Sequence, residues 1–134
     1  MAEIAVNPIF LEDCVMSIED DDYAAAVSAA TFTPTARQGF KGMKKNQQHR
    51  PPASWQLALS LAQDLATLTS LSNYLHVHEG ETKAAVFKPV SGTGPEVQAS
   101  IVIFPGGIGG TVETVPTSSV TMDVLGKPEI VPAV

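Results

Sequence analysis

The residues with the clearest chemical potential are the Lys and Arg side chains gathered in residues 37–52, RQGFKGMKKNQQHRPP. This basic segment holds five of the chain's eight basic residues and none of its fourteen acidic residues. The five are Arg37, Lys41, Lys44, Lys45 and Arg50. Such a cluster can bind nucleic-acid phosphates or the carboxylates of a protein surface. Phe40 is its only aromatic residue, so the segment lacks the stacking platforms that hold single-stranded nucleic acid.

A run of acidic residues lies earlier in the chain. It consists of Glu19, Asp20, Asp21 and Asp22. The run does not follow the alternating spacing, central glycine and closing glutamate of a calcium loop, which favours a solvated acidic turn. Because the chain itself supplies this acidic surface, the basic segment is best interpreted as a protein–protein contact. A solvated basic loop and a DNA contact are the alternatives.

The remaining motifs do not predict catalysis. PGGIGG at residues 105–110 leads into neither Lys-Ser/Thr nor a helical pattern, so it does not predict a phosphate-binding loop. His76 and His78 are two residues apart and cannot share one face of a helix. Cys14 is the only cysteine, which excludes an intrachain disulfide and a cysteine-based zinc site. We therefore expect no enzyme, no cofactor and no metal.

Composition sets the wider limits. With 134 residues the chain has the length of one domain, and 44% hydrophobic residues are enough for a globular core. The net charge of −6 disfavours non-specific binding to DNA or anionic lipid. No apolar run is long enough to span a membrane, and the first residues lack the basic region of a secretory signal. We expect a soluble protein made in a reducing compartment.

The elements that must position these residues are mostly strands. In residues 54–62 Trp55, Leu57, Leu59 and Leu61 alternate with small, weakly polar residues, the pattern of a half-buried strand. Further strands are predicted over residues 14–18, 27–36, 82–90, 96–104 and 118–131. Pro34 should lie near the end of its strand, where a missing N–H costs least.

Only one helix is predicted. Leu65, Leu68, Leu71 and Leu75 recur at steps of three and four, with Ser70 as N-cap and Gly80 beyond the end, which favours a helix over about residues 70–79. The whole pattern predicts a mainly β protein: an antiparallel β-sandwich or barrel with one short flanking helix. Residues 1–134 are expected to form a single β domain with a long basic loop at about residues 36–53.

Four segments in a fixed order carry a family resemblance. They are SWQLALSLAQD, LTSLSNYLHVHEGE, AAVFKPVSGTG and VQASIVIFPGGIGGTVETVPTSSVTMDVLGKPEI. In this order they resemble the tail tube, or major tail, proteins of long-tailed bacteriophages of the siphophage type, over about residues 10–131. The resemblance rests on the ordered combination, because no single motif is specific.

The resemblance implies two packed antiparallel sheets with a flanking helix, as in the tube protein of type VI secretion. It also implies a structural virion protein without catalytic activity, assembled in the host bacterial cytoplasm. Hexameric rings would join their inner sheets into one barrel and stack into a tube that conducts the genome. The expected partners are further copies of the chain, the tape measure and the tail terminator. DNA would pass through without specific binding, and no membrane would take part.

The resemblance also implies site residues. Contacts between subunits or rings are expected from the basic segment and the acidic run, with apolar burial from Phe40 and Met43. The contact set is Arg37, Phe40, Lys41, Met43, Lys44, Lys45, Arg50, Glu19, Asp20, Asp21 and Asp22. The expected lumen residues are Gln56, Ser60, Gln98, Ser100 and Asp123. Two other functions stay open: a small β-sandwich decoration or tail adaptor protein, and a nucleic-acid-binding β domain.

Overall fold

The computed structural model describes residues 2–6, 8–45, 47–90 and 94–132, and it confirms a mainly β, antiparallel fold with one short helix. In chain order the strands are β1 Val15–Ile18, β2 Asp21–Asp22, β3 Val27–Thr35, β4 Phe40–Lys41, β5 Gln48–His49, β6 Ser54–Ala62, β7 Thr82–Lys88, β8 Glu96–Val102, β9 Thr117–Val124 and β10 Glu129–Val131. The helix α1 spans Leu71–Val77, between β6 and β7.

Eight of the strands form one continuous antiparallel sheet. Their order is β2-β1-β7-β8-β9-β6-β3, and β10 adds to β8. The sheet has two halves, and β8 and β9 join them through a single register pair, Ile101 with Val124. Side chains from both halves enter one common core cluster, so the sheet folds over at this junction.

Strict alternation in the central strands builds the core. Leu57, Leu59 and Leu61 of β6 are at most 1% exposed. Their counterparts on the other strands are Met16, Ile18, Ala85, Ile101, Val120, Met122 and Val124. Burial of each large aliphatic side chain contributes about 1.5–3 kcal/mol of transfer free energy. Because β strands have a period of two, this buried set fixes which residues of β6 and β9 face outward.

The helix covers one end of the core. Ser70 is its N-cap, as the sequence predicted, and its hydroxyl accepts a hydrogen bond from the Asn73 N–H at 3.4 Å. Leu71 and Leu75, one turn apart, are both buried. Gly80 follows with a φ of +84°, a conformation that glycine adopts without strain, and its N–H donates to the Ile103 carbonyl.

The structure corrects two details of the predicted elements. The expected loop at residues 36–53 contains the two-residue strands β4 and β5, which are too short to leave a period in the sequence. The single strand expected over residues 118–131 is divided into β9 and β10, because Gly126 turns the chain with a φ of +82°. Pro34 lies one residue from the end of β3, which is an edge strand, as its missing N–H requires.

Candidate functional site: an exposed sheet face and a basic arm

The outward face of β3, β6 and β9 carries only small or uncharged polar residues and one acid. The members of this small-residue face are Ala29, Thr31, Thr33, Thr35, Ser54, Gln56, Ala58, Ser60, Ala62, Thr117, Ser119, Thr121 and Asp123. All are exposed except Ser60, which is half-buried. Cross-strand neighbours share the character: Ala58 lies opposite Thr31 on one side and Thr121 on the other.

Three of the five residues predicted to line a lumen meet on this face. Gln56 is paired with Asp123 across β6 and β9, and its Nε2 donates to Asp123 Oδ1 at 3.4 Å. Ser60 lies further along the same strand, opposite Ser119. Asp123 is the only charged residue of the small-residue face, so the face carries one negative charge and no positive charge.

The other two predicted lumen residues lie elsewhere. Gln98 and Ser100 are exposed residues of β8, in the half of the sheet formed by β1, β7 and β8. Gln98 donates through its Nε2 to Glu96 Oε1 at 2.5 Å, while Ser100 faces Ala84 across the ladder. Neither Gln98 nor Ser100 is therefore a register partner of Gln56, Ser60 or Asp123, although the Ser100 carbonyl accepts a hydrogen bond from the Leu125 N–H at 2.8 Å beside the junction.

The small-residue face ends at an open strand edge. The nine-residue strand β3 pairs with β6 on one side and with none of the described strands on the other. On the opposite border, the ladder between β9 and β8 consists of one register pair, at Val124. A long unpaired edge presents free N–H and C=O groups, which can pair with another chain.

The segment from residue 36 to residue 53, here called the basic arm, extends the β3–β6 hairpin. Thr35 and Ser54 form the last register pair of the main sheet, and β4 and β5 continue the same antiparallel course. Arg37 Nε donates to the Pro52 carbonyl at 2.8 Å and holds the base of the arm together. A Cβ atom on Gly39 would lie 2.7 Å from the His49 carbonyl oxygen, so this close approach requires glycine.

The described side chains of the basic arm are exposed to solvent. Phe40 is 67% exposed and Met43 fully exposed. None of the arm's five Lys and Arg residues forms an ion pair with another residue that the structure describes. The hydrogen bonds of its described residues join one arm residue to another. The arm therefore presents five positive charges without an ion-pair partner among the described residues, and two large exposed apolar side chains, of which Phe40 contacts the ring of His49 within the arm.

Glu19 and Asp20 of the acidic run form a tight turn between β1 and β2, and Asp21 and Asp22 are β2 itself. Glu19 and Asp20 both have positive φ angles, +50° and +71°. Glu19 Oε1 lies 3.2 Å from Lys83 Nζ, and Glu19 Oε2 accepts a hydrogen bond from the Tyr74 hydroxyl at 3.4 Å. Asp22 Oδ1 accepts from the Ala24 N–H at 2.9 Å. Of the four acids, Glu19 and Asp22 thus have contacts inside the chain.

A polar cluster links the helix to this turn. The rings of Tyr74 and His78, one helical turn apart, have their centroids 4.4 Å apart, and His78 Nδ1 lies 2.6 Å from Glu81 Oε2. Burial, together with the Glu19 carboxylate, raises the pKa of Tyr74 to about 12. The hydrogen bond with His78, followed by the charge of Lys83, lowers the pKa of Glu81. Sequence reasoning missed this cluster, and the spacing of Tyr74 and His78 was its only local signal.

The glycine-rich segment is a loop that the side chain of Gln63 holds in place. Gln63 Nε2 donates to the Gly109 carbonyl at 3.0 Å, and the Gly109 N–H donates back to Gln63 Oε1 at 2.9 Å. Gly109 has a φ of +112°, which favours glycine. Ile108, directly before Gly109, and Val112 and Val115, after it, are exposed apolar residues. The loop therefore offers exposed apolar contact surface, and Gln63 engages both backbone polar groups of Gly109.

Among the described residues, no group of three His, Cys, Asp or Glu side chains could hold a metal ion. No helix among them is both long and apolar enough to cross a membrane. The comparisons with known proteins add no assignment, since no family model matches the chain and no curated protein matches its sequence.

Proposed function

We propose that the chain is a structural, self-assembling subunit: a tail tube protein whose hexameric rings stack into the channel of a long phage tail. The observation that carries the proposal is the small-residue face, a three-stranded exposed surface bordered by the open edge of β3. This proposal includes no catalytic residue and no cofactor.

The chemistry of the small-residue face suits the wall of a DNA channel. Its Thr, Ser and Ala side chains are short and leave a smooth surface without large apolar groups. Basic residues on such a wall would bind phosphates and release counterions, which would hold the DNA in place. Asp123 instead places one negative charge per subunit on the face. Among the expected lumen residues, the proposal therefore retains Gln56, Ser60 and Asp123 and leaves out Gln98 and Ser100.

The open edge gives a physical reason for assembly. An edge strand of nine residues is an aggregation liability unless another chain or a cover pairs with it. Pairing of β3 with the β9 border of a neighbouring subunit would extend the small-residue face from copy to copy. Closure of such a ring into a barrel would remove the free edge of β3 and that of the β9 border.

The basic arm supplies the second kind of contact in the proposal. Its charges have no ion-pair partner among the described residues, and its apolar residues Phe40 and Met43 are largely exposed, so a neighbouring subunit or ring would provide their partners. Exposed ion pairs contribute about 0–1 kcal/mol each, so they would set register, while burial of the two apolar side chains would contribute more.

Electron microscopy of the purified protein at high concentration tests the proposal. Six domains of this size in a ring would span about 100 Å, as estimated from the usual radius of a compact domain. Rings or tubes of that width with a central channel are the expected result. Protein that stays monomeric, or that forms only filaments without a channel, would contradict the proposal and favour a decoration or adaptor protein instead.

A further inference from the structure

The charges of this chain are segregated along its sequence. Residues 2–22 contain seven acidic residues and no Lys or Arg, whereas residues 23–63 contain no acidic residue at all. The basic arm lies in the second region. The arm and the acidic region form no ion pair with each other among the described residues. A single copy therefore does not match the charges of its arm with those of its acidic region.

The acidic region contains a groove that could receive the arm. This groove, of about 490 Å³, lies between β1 and β7 on one wall and the beginning of β3 on the other. Met16, Val27 and Phe87 contribute to its apolar lining. Glu12 and Asp22 place carboxylates at it, and the single cysteine, Cys14, also lines it. We call it the acid-rimmed groove.

The apolar and positively charged side chains of the arm complement the apolar and acidic residues that line this groove. Phe40 and Met43 are large exposed apolar side chains, suited to apolar walls. Lys41 and Lys44 are their sequence neighbours, suited to the carboxylates of Glu12 and Asp22. Opposite charges at the rim of an apolar contact steer encounter and fix register, while the apolar side chains supply most of the affinity.

The arm cannot reach the groove of its own chain. The groove touches β3 at Val27 and Ala30, while the arm leaves β3 beyond Thr35, at the other end of the strand. At about 3.3 Å per residue the strand alone separates Ala30 from Thr35 by about 17 Å, and the arm runs on from there. Donor and acceptor surfaces at opposite ends of one subunit make a heterologous contact, which repeats from copy to copy.

We propose that the tip of the basic arm of one copy inserts Met43 and Phe40 into the acid-rimmed groove of a second copy, with Lys41 and Lys44 against Glu12 and Asp22. This inference rests on the proposed function, because it names the contact by which stacked copies recognise each other. It places the acceptor at the groove rather than at the tight turn, where Lys83 and Tyr74 already engage Glu19.

The native cysteine makes the contact measurable. Met43→Cys places a second thiol at the tip of the arm, and Cys14 lines the groove. A disulfide requires Cα atoms that are about 4.4–6.8 Å apart. Mild oxidation of the full chain therefore links the two thiols only where residue 43 of one copy lies close to Cys14 of another. We expect covalent dimers and longer multimers on a non-reducing gel, and their loss on reduction or in Met43→Cys/Cys14→Ser. Val112→Cys, exposed on the glycine-rich loop, is the matched control.

The expected yield of cross-linked species for Met43→Cys is at least tenfold above that for Val112→Cys. Equal yields would overturn the inference. A charge exchange provides the second measurement: Glu12→Lys in the Met43→Cys background should lower the cross-linked yield severalfold, and Lys41→Glu/Lys44→Glu added to it should restore the yield. The arm–groove contact would also be contradicted if Glu12→Lys left the cross-linked yield unchanged. It would be contradicted as well if the charge exchange did not restore that yield.

The two proposals fail in different ways. Wild-type protein could form rings or tubes while the Met43→Cys variant forms no preferential disulfide with Cys14. This result would support the tail tube function and overturn the arm–groove contact. Preferential bonding in a protein that forms no rings would support the contact and overturn the tube. Absence of both would overturn both.

Discussion

The Nζ atom of Lys83 on β7 lies 3.2 Å from Oε1 of Glu19 in the turn after β1, and 3.7 Å from Oε1 of Glu81. The Lys83 side chain is only 16% exposed. Lys83 thus links Glu19 in the β1–β2 turn to Glu81, the residue directly before β7. The contact fixes the position of Glu19 and uses its charge within the subunit.

Replacement of Lys83 by Met should destabilise the fold by about 1 kcal/mol, near the upper end of the range for partly exposed ion pairs. The loss arises because two carboxylates keep their positions without the cation between them. Urea denaturation followed by circular dichroism measures it. Lys127→Met, a change at an exposed lysine, is the control and should stay within about 0.5 kcal/mol of wild type. Equal effects of the two substitutions would contradict the structural role of Lys83.

The Tyr74 phenol provides a prediction at alkaline pH. Because its pKa is raised from 10.0 to about 12, the folded protein retains the phenolic proton where the unfolded chain loses it. The stability contributed by the neutral phenol is therefore fully present below pH 10 and is lost as the pH rises from 10 to about 12. The thermal midpoint of wild type should fall over this interval, and that of Tyr74→Phe should fall less.

Phenolate absorbance gives an independent reading of the same group. The chain has two tyrosines, so the titration of the folded protein should show two components. Tyr74→Phe should remove the later component, while Tyr23→Phe should retain it. A single component near pH 10 in folded wild-type protein would contradict the buried environment of Tyr74.

The sequence predicted the elements whose side chains follow a regular period. Leu57, Leu59 and Leu61 alternate without interruption, so both the strand and its outward face followed from the period of two. The Ser70 cap was recognisable because a hydroxyl residue directly precedes the helical spacing. Gln56 and Asp123 could be assigned to outward faces for the same reason.

Contacts between distant parts of the chain could not be predicted in this way. The single pair of Ile101 with Val124 decides that the sheet folds over between β8 and β9, yet nothing local marks either residue. This junction assigns Gln98 and Ser100 to the other half of the sheet, although their side chains resemble those of the small-residue face. The Lys83–Glu19 pair joins residues far apart in sequence, and its carboxylate comes from a run that otherwise indicated a solvated turn.

The orientation of the small-residue face in an assembled tube can be tested by labelling. In a Cys14→Ser background, Thr121→Cys places one thiol on this face and Ser100→Cys places one on the other half of the sheet. Each variant is tagged with a small gold cluster and mixed as a minor fraction with unlabelled protein before assembly. Electron microscopy should locate the Thr121→Cys label on the inner, lumen-facing surface of the tube wall. It should locate the Ser100→Cys label away from the lumen. The reverse positions would refute the assignment of the lumen.

Reversal of charge on the basic arm should weaken assembly and change its response to salt. Lys44→Glu/Lys45→Glu converts two of the arm's five positive charges into negative ones, which would repel an acidic acceptor surface. Salt screens both the attraction of the wild-type arm to an acidic acceptor surface and the repulsion of the variant arm from it. The Debye length is about 8 Å at physiological ionic strength. Added salt should therefore hinder assembly of wild type and assist that of the variant.

The measurement is the concentration of protein required for half-maximal assembly, read by light scattering and electron microscopy at low and high salt. Lys127→Glu, at an exposed basic position outside the arm, is the control for a change of net charge and should not reverse the salt response. Assembly of the arm variant at the wild-type concentration, with unchanged salt dependence, would show that the charges of the arm do not contribute to the contact. Loss of assembly that salt does not relieve would point instead to apolar packing by Phe40 and Met43. The charge reversal keeps both apolar side chains but would then prevent them from reaching their acceptor surface.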